Sequence, residues 1–163
     1  MKAIIERAWE DRALLNEPAT VQAIEHVIEE LDKGRLRVAE PSAALGLTTS
    51  AAQGQAAASS PVPPSGAEAW QVNDWVKKAV ILYFPIRKME TLHAGPLEFH
   101  DKMRLKTGYA ELGVRVVPHA IARYGAYLAK GVIMMPGYVN IGAYVDEGTM
   151  VDTWATVGSC AQI

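Results

Sequence analysis

From Ile121 to Ile163 the chain repeats with a period of six, which neither a helix nor an ordinary strand produces. An aliphatic or aromatic residue stands at Ile121, Tyr127, Ile133, Val139, Val145, Val151, Val157 and Ile163. Four places after each of the first seven comes a small one: Gly125, Gly131, Gly137, Ala143, Thr149, Ala155 and Ala161. A helix returns to one face after about 3.6 residues and a half-buried strand after about 2. A period of six with a size-restricted position inside it describes a unit that turns a corner each time, so this segment coils. The large residues are expected to point to the axis and stack turn upon turn, each buried Val or Ile contributing about 1.5–3 kcal/mol. The small residues are expected at the bends, where a large side chain does not fit.

Composition narrows the class. The chain has 163 residues, 50% of them hydrophobic and 21% charged, enough for one domain or two small ones. A net charge of -2 gives no general attraction to nucleic acid or to an anionic membrane. No apolar run is long enough to span a bilayer, and the first sixteen residues lack the basic start and apolar core of a signal peptide, so a cytoplasmic protein is expected. The lone Cys160 makes no internal disulfide, which fits a reducing compartment.

Ahead of the coil, Ile4, Ile5, Ala8, Trp9, Leu14 and Leu15 form the apolar stripe of a first helix that runs to Pro18. A second helix is capped by Thr20, buries Val21, Ile24, Val27, Ile28 and Leu31, and stops at Gly34. Its charges, Glu25, Glu29, Glu30, Asp32 and Lys33, read as solvated surface. Leu36 to Ala39 reads as a short strand. Residues 41–69 are dominated by Ala, Ser, Gly, Pro and Thr and carry too little apolar surface to offset their ordering entropy, so a flexible insertion is expected. A strand at Trp70–Val72 and a helix started by Asn73 or Asp74 follow, and residues 84–112 read as mixed strand and loop. The resulting division is a helical segment 1–40, the insertion 41–69, the rest of an α/β domain 70–115, and the coil 116–163.

The six-residue pattern resembles the hexapeptide repeat of the left-handed parallel β-helix acyltransferases, which implies a left-handed coil with three hexads per turn. Leu36–Glu40, Trp75–Val80, Val114–Pro118 and above all Tyr138–Trp154, continuing through Ala155–Ile163, look more narrowly like the tetrahydrodipicolinate N-succinyltransferases. Enzymes of that family are longer. About two and a half coils are present here, where a solenoid needs roughly three or more repeats to bury its core, so the chain reads as the front part of a gene product and an inactive fragment.

The resemblance implies transfer of a succinyl group from succinyl-coenzyme A, a co-substrate and not a bound cofactor, to the amine of ring-opened tetrahydrodipicolinate in lysine biosynthesis. It also implies a homotrimer with sites between neighbouring coils and coenzyme contacts beyond Ile163. The reaction needs a base for the attacking amine and a group to hold the oxyanion. Asp152, in Met150-Val151-Asp152-Thr153-Trp154, matches the family's catalytic aspartate. Its spacing alone does not select it, because Asn140, Asp146 and Gly158 occupy the equivalent place and such residues suit bends; Asp146 serves as the structural control. With three hexads per turn, Asp152 is expected one rung above Met134. Arg115 is the candidate for a substrate carboxylate, which a guanidinium holds in bidentate fashion, and Ser159 for a substrate hydrogen bond. Cys160 has no basic neighbour to make it a nucleophile. His26, His93, His100 and His119 all lie outside the regular hexads, so a three-histidine zinc site is not expected. The alternative reading is a non-catalytic hexapeptide scaffold or trimerisation module.

Overall fold

A computed structural model describes residues 1–41 and 70–163. The expected insertion, 41–69, lies outside the described residues except for Pro41. Helix α1, Lys2–Glu10, buries Ile5 and Ala8. The expected single helix is broken at Asp11, which is extended at φ -123° and accepts a hydrogen bond from Ala13 N at 3.0 Å through Oδ1. A short polar side chain is a better cap than an interior helix residue, so Asp11 opens a separate 3-10 turn over Arg12–Asn16.

Helix α2, Pro18–Asp32, starts with Pro18 in its first turn, where the missing N–H costs nothing. Thr20 therefore does not cap it; it lies buried inside that turn. Gly34 ends the helix as expected, at φ +68°. A Cβ there would stand 2.6 Å from the Tyr127 ring, so the stop also lets α2 approach the coil closely.

The expected strand at 36–39 forms slightly later: β1, Ala39–Pro41, pairs antiparallel with β2, Trp70–Val72. Helix α3, Asp74–Ile86, follows. Asn73 leaves its helix uncapped and donates instead to Arg37 O and Glu40 Oε1, both at 3.0 Å, tying the helix start to β1. Strands β3, Glu90–Ala94, and β4, Leu97–Asp101, form an exposed antiparallel hairpin across the Gly95-Pro96 turn. A single turn of helix, α4, Tyr109–Leu112, leads into the coil.

The coil is three parallel sheets that the chain visits in rotation. The first holds β5 (Arg115–Val116), β8 (Ile133–Met134) and β11 (Met150–Val151); the second β6 (Ile121–Ala122), β9 (Tyr138–Val139) and β12 (Thr156–Val157); the third β7 (Tyr127–Leu128) and β10 (Tyr144–Val145). Val139, Val145, Val151 and Val157 are buried inside, as expected. Ile121, Tyr127 and Ile133 are not the inward residues of their strands: Ala122, Leu128 and Met134 are. The six-residue series thus joins two phases. Val116 pairs with Met134, eighteen residues on, but Ala122 pairs with Val139, seventeen on, so one residue is missing from the corner Met135–Gly137. Ile163 takes the inward register yet is 54% exposed.

The phase slip also moves the bend. The left-handed residue lies three places after every inward one except Met134, whose corner is the short one: His119, Gly125, Gly131, Gly142, Gly148, Trp154 and Cys160 all have positive φ. The small residues four places after Val139, Val145, Val151 and Val157 follow that bend and do not form it. Gly125, Gly142 and Cys160 stack as one corner, and the helical layer packs on it. A Cβ on Gly125 would stand 2.9 Å from Ile28 of α2, and one on Gly142 would stand 3.4 Å from Val80 of α3. Ile141 and Cys160 accordingly join the core formed by the helices. One buried ion pair locks this joint: Lys106 Nζ donates to Asp32 Oδ1 at 2.8 Å, and the same oxygen accepts Gly125 N at 2.8 Å.

Candidate active site

Asp152 follows the inward Val151 and opens the corner between β11 and β12. Its side chain is exposed, and Oδ1 accepts the amide of Thr153 at 2.7 Å. That contact, from the amide of the very next residue, holds one carboxylate oxygen and leaves Oδ2 without a hydrogen-bond partner among the described residues. Asp146 makes the same contact with Glu147 N at 2.9 Å, so the local geometry of the two aspartates is alike. Their surroundings differ.

Asp152 sits over Met135, not over Met134 as expected, because the turn below it is one residue short. The full-length corner Asp152–Ala155 is thereby stacked on the shortened corner Met135–Gly137. Trp154 N donates to Pro136 O at 2.5 Å and Tyr138 N to Ala155 O at 3.1 Å. A Cβ on Gly137 would stand 2.7 Å from Ala155 O, so only glycine allows the two corners to nest. Trp154 is held at φ +58° and is 78% exposed. A non-glycine residue there costs about 1–2 kcal/mol, and such strain concentrates at functional positions. Periodicity did not single out Trp154; the signal available was a bulky residue at a place in the hexad that glycine fills at four other corners.

The other candidates are not brought together with Asp152. Arg115 lies on the same sheet, paired with Ile133 and through it with Met150. Two rungs of about 4.8 Å separate it from the β11 level. Among the described residues no carboxylate lies within ion-pair distance of Arg115, so its guanidinium is open to a ligand. Ser159 is on the next corner, at the far end of β12, and its hydroxyl donates to Ile141 O at 2.9 Å. It serves the bend that the helices buttress. Cys160, beside it, is half-buried with Sγ 3.5 Å from Ser159 Oγ.

Between these corners, the outer face of the second sheet carries polar residues with no motif to announce them. Arg123 donates to Asp101 Oδ2 at 2.9 Å and to Asn140 Oδ1 at 3.4 Å, and Tyr138 donates to the same Asn140 oxygen at 3.2 Å. Burial raises the pKa of Tyr138 above the usual phenol range, with Arg123 opposing, so the ring stays a neutral donor at physiological pH. The histidines remain dispersed: His26 on α2, His93 and His100 on the hairpin and His119 at the bend before β6.

Residues 1–86 match the model of the tetrahydrodipicolinate N-succinyltransferase N-terminal family. The whole chain aligns with 2,3,4,5-tetrahydropyridine-2,6-dicarboxylate N-succinyltransferases of Variovorax paradoxus (strain S110), at 49% identity, and Acinetobacter baylyi, at 45%, covering 54% and 55% of those proteins. A third relative, from Dechloromonas aromatica, is 44% identical over the whole chain and 54% covered. The chain spans about half the length of the curated relatives it matches. With the helical layer and the three-sheet coil in place, these matches establish that the chain belongs to the tetrahydrodipicolinate N-succinyltransferase family.

Proposed function

We propose that the protein carries the N-terminal part of an enzyme that transfers a succinyl group from succinyl-coenzyme A to the amine of ring-opened tetrahydrodipicolinate, in lysine biosynthesis. The observation that carries this reading is the 49% identity, across the whole chain, to a protein named for that activity. The three sheets are read as the first coils of a left-handed parallel β-helix, which the rotation of parallel strands supports. Asp152 takes the amine's proton through its free oxygen as the nitrogen attacks the thioester carbonyl. The oxyanion so formed collapses, the C–S bond breaks, and coenzyme A leaves as a thiolate that gains a proton.

Arg115 receives a substrate carboxylate, which its unpaired guanidinium supports. Ser159 is the weaker candidate, since its hydroxyl already serves Ile141 O. Subunits are read as trimers with the site between neighbouring coils. The exposed Met150 (56%) and Trp154 flanking Asp152 support that arrangement, because a neighbouring coil would cover them and strip water from the carboxylate. Among the described residues no helix is long and apolar enough to cross a membrane, and use of succinyl-coenzyme A fits the cytoplasm.

The test is thiol release from succinyl-coenzyme A, with the ring-opened acceptor, by the protein bearing this chain and by its Asp152→Asn variant. Loss of a general base is expected to lower kcat by about 10²-fold or more while the size-exclusion profile is unchanged. Turnover within about threefold of the parent would take Asp152 out of the chemistry. A chain that assembles but never releases thiol would favour the scaffold reading.

A further inference from the structure

A second polar site lies away from the Asp152 corner, where the exposed face of α2 meets the segments that follow α3 and β4. Glu25, His26 and Glu29 of α2 line one side, and Arg87, Arg104 and Tyr124 the other, around a cleft of about 450 Å³. Both guanidiniums are held in place by protein groups that are not carboxylates. Arg104 lies 4.3 Å over the Tyr124 ring. Arg87 donates through Nε to Lys102 O at 3.4 Å and lies 5.9 Å from the Tyr83 ring.

A structural ion-pair network would join these arginines to the glutamates opposite. It does not: Glu29 is taken by Lys33, and among the described residues Glu25, Arg87 and Arg104 have no ion-pair partner. Two guanidiniums and two carboxylates, of which Glu29 is already paired with Lys33, thus face one cleft, of a volume suited to a small metabolite. Each planar guanidinium can hold a carboxylate by two parallel bonds, and Glu25 can accept from an ammonium group. A purely anionic ligand would meet both glutamates, and the one aromatic ring of the lining, Tyr124, is covered on one face by Arg104, which leaves no slot between two rings for a nucleobase.

We propose that this cleft binds an amino dicarboxylate, with its two carboxylates on Arg87 and Arg104 and its ammonium group on Glu25. The site does not share a residue with the Asp152 corner and stands whether or not the chain takes part in succinyl transfer. It is tested by isothermal titration of the 163-residue chain with L-glutamate and L-2-aminoadipate, and with glutarate, 4-aminobutyrate and inorganic phosphate as probes lacking one of the groups. At least one amino dicarboxylate is expected to bind saturably, and the other three probes about tenfold or more weaker, the usual effect of losing one charged hydrogen-bonding group. Arg87→Gln, Arg104→Gln and Glu25→Gln should each weaken binding about tenfold with unchanged circular dichroism, and Asp152→Asn should leave it within about twofold. No saturation by either amino dicarboxylate up to ~10 mM would overturn the proposal. Equal binding of glutarate or phosphate, or binding lost in Asp152→Asn and kept in Arg104→Gln, would overturn it as well.

Discussion

Two glycines of the coil have nearly the same backbone and very different surroundings, which makes them a matched pair for testing how the helices sit on it. Gly125 has φ +90° and Gly131 has φ +85°. An alanine at either pays the left-handed penalty of about 1–2 kcal/mol. At Gly131 nothing lies within 4 Å of the added Cβ, so that penalty is the whole cost. At Gly125 the Cβ would stand 2.8 Å from Ile141 Cγ1 and 2.9 Å from Ile28 Cγ2, both in the helical core. Forcing a methyl into packed side chains adds about 1–3 kcal/mol, so Gly125→Ala should cost about 2–5 kcal/mol in total. The excess of Gly125→Ala over Gly131→Ala is the quantity of interest. Urea unfolding followed by far-ultraviolet circular dichroism reads it directly; with slopes of about 1–3 kcal/mol/M, the two midpoints should differ by about 1 M. Equal losses, within about 0.5 kcal/mol, would show that α2 does not press on this corner and would refute the packing described for it.

The buried joint gives a second test. Asp32→Ala leaves the Lys106 ammonium, 3% exposed, without its partner and should cost about 3–5 kcal/mol, whereas Asp32→Leu combined with Lys106→Met should recover part of that; urea unfolding of both would reverse the assignment if the single variant cost under about 1 kcal/mol. Trp154→Gly removes a left-handed penalty of about 1–2 kcal/mol and adds about 0.5–1 kcal/mol of chain entropy, so thermal stability should hold or rise slightly. A drop beyond about 1 kcal/mol would mean the ring is a packing element, and a fall in thiol release without such a drop would mark it as part of the site. Burial raises the pKa of Tyr109, Tyr124, Tyr138 and Tyr144 above 10.0. Their neutral forms are favoured in the fold, so this stability is present below pH 10 and is lost as pH rises through the folded values. Phenolate absorbance should accordingly appear at higher pH in the native protein than in urea, and coincident titrations would contradict the burial of these rings.

Much of the helical layer was legible because its apolar residues recur at helical spacing and its stops are chemical: Gly34 ends α2 where a left-handed residue is needed. The failures have particular causes. Asp11 broke the first helix because its carboxylate competes for the backbone. Pro18 displaced Thr20 as the start of α2 because it was already shaped for that position. Of the site, Asp152 was legible at its corner, while the polar network of Arg123, Asp101, Asn140 and Tyr138 was not, since its members come from separate segments with no shared spacing.

The amino-acid order on its own determined that the C-terminal segment coils, that Val139, Val145, Val151 and Val157 line it, that Asp152 stands at a bend, and which family the chain resembles. Only the tertiary structure decided the phase of the first strands. Along a strand neighbouring residues face opposite ways, and in the first coil both neighbours are apolar: Ala122, Leu128 and Met134 fill the interior, while Tyr127 covers Gly34 and stacks 4.6 Å from Tyr144 outside. A periodic pattern cannot tell an axis from a covered outer wall. The segments packed outside the coil, the end of α2 at Tyr127 and the hairpin at Ile121, supply part of that wall, and the one-residue slip between Met134 and Val139 sets what lies beneath Asp152.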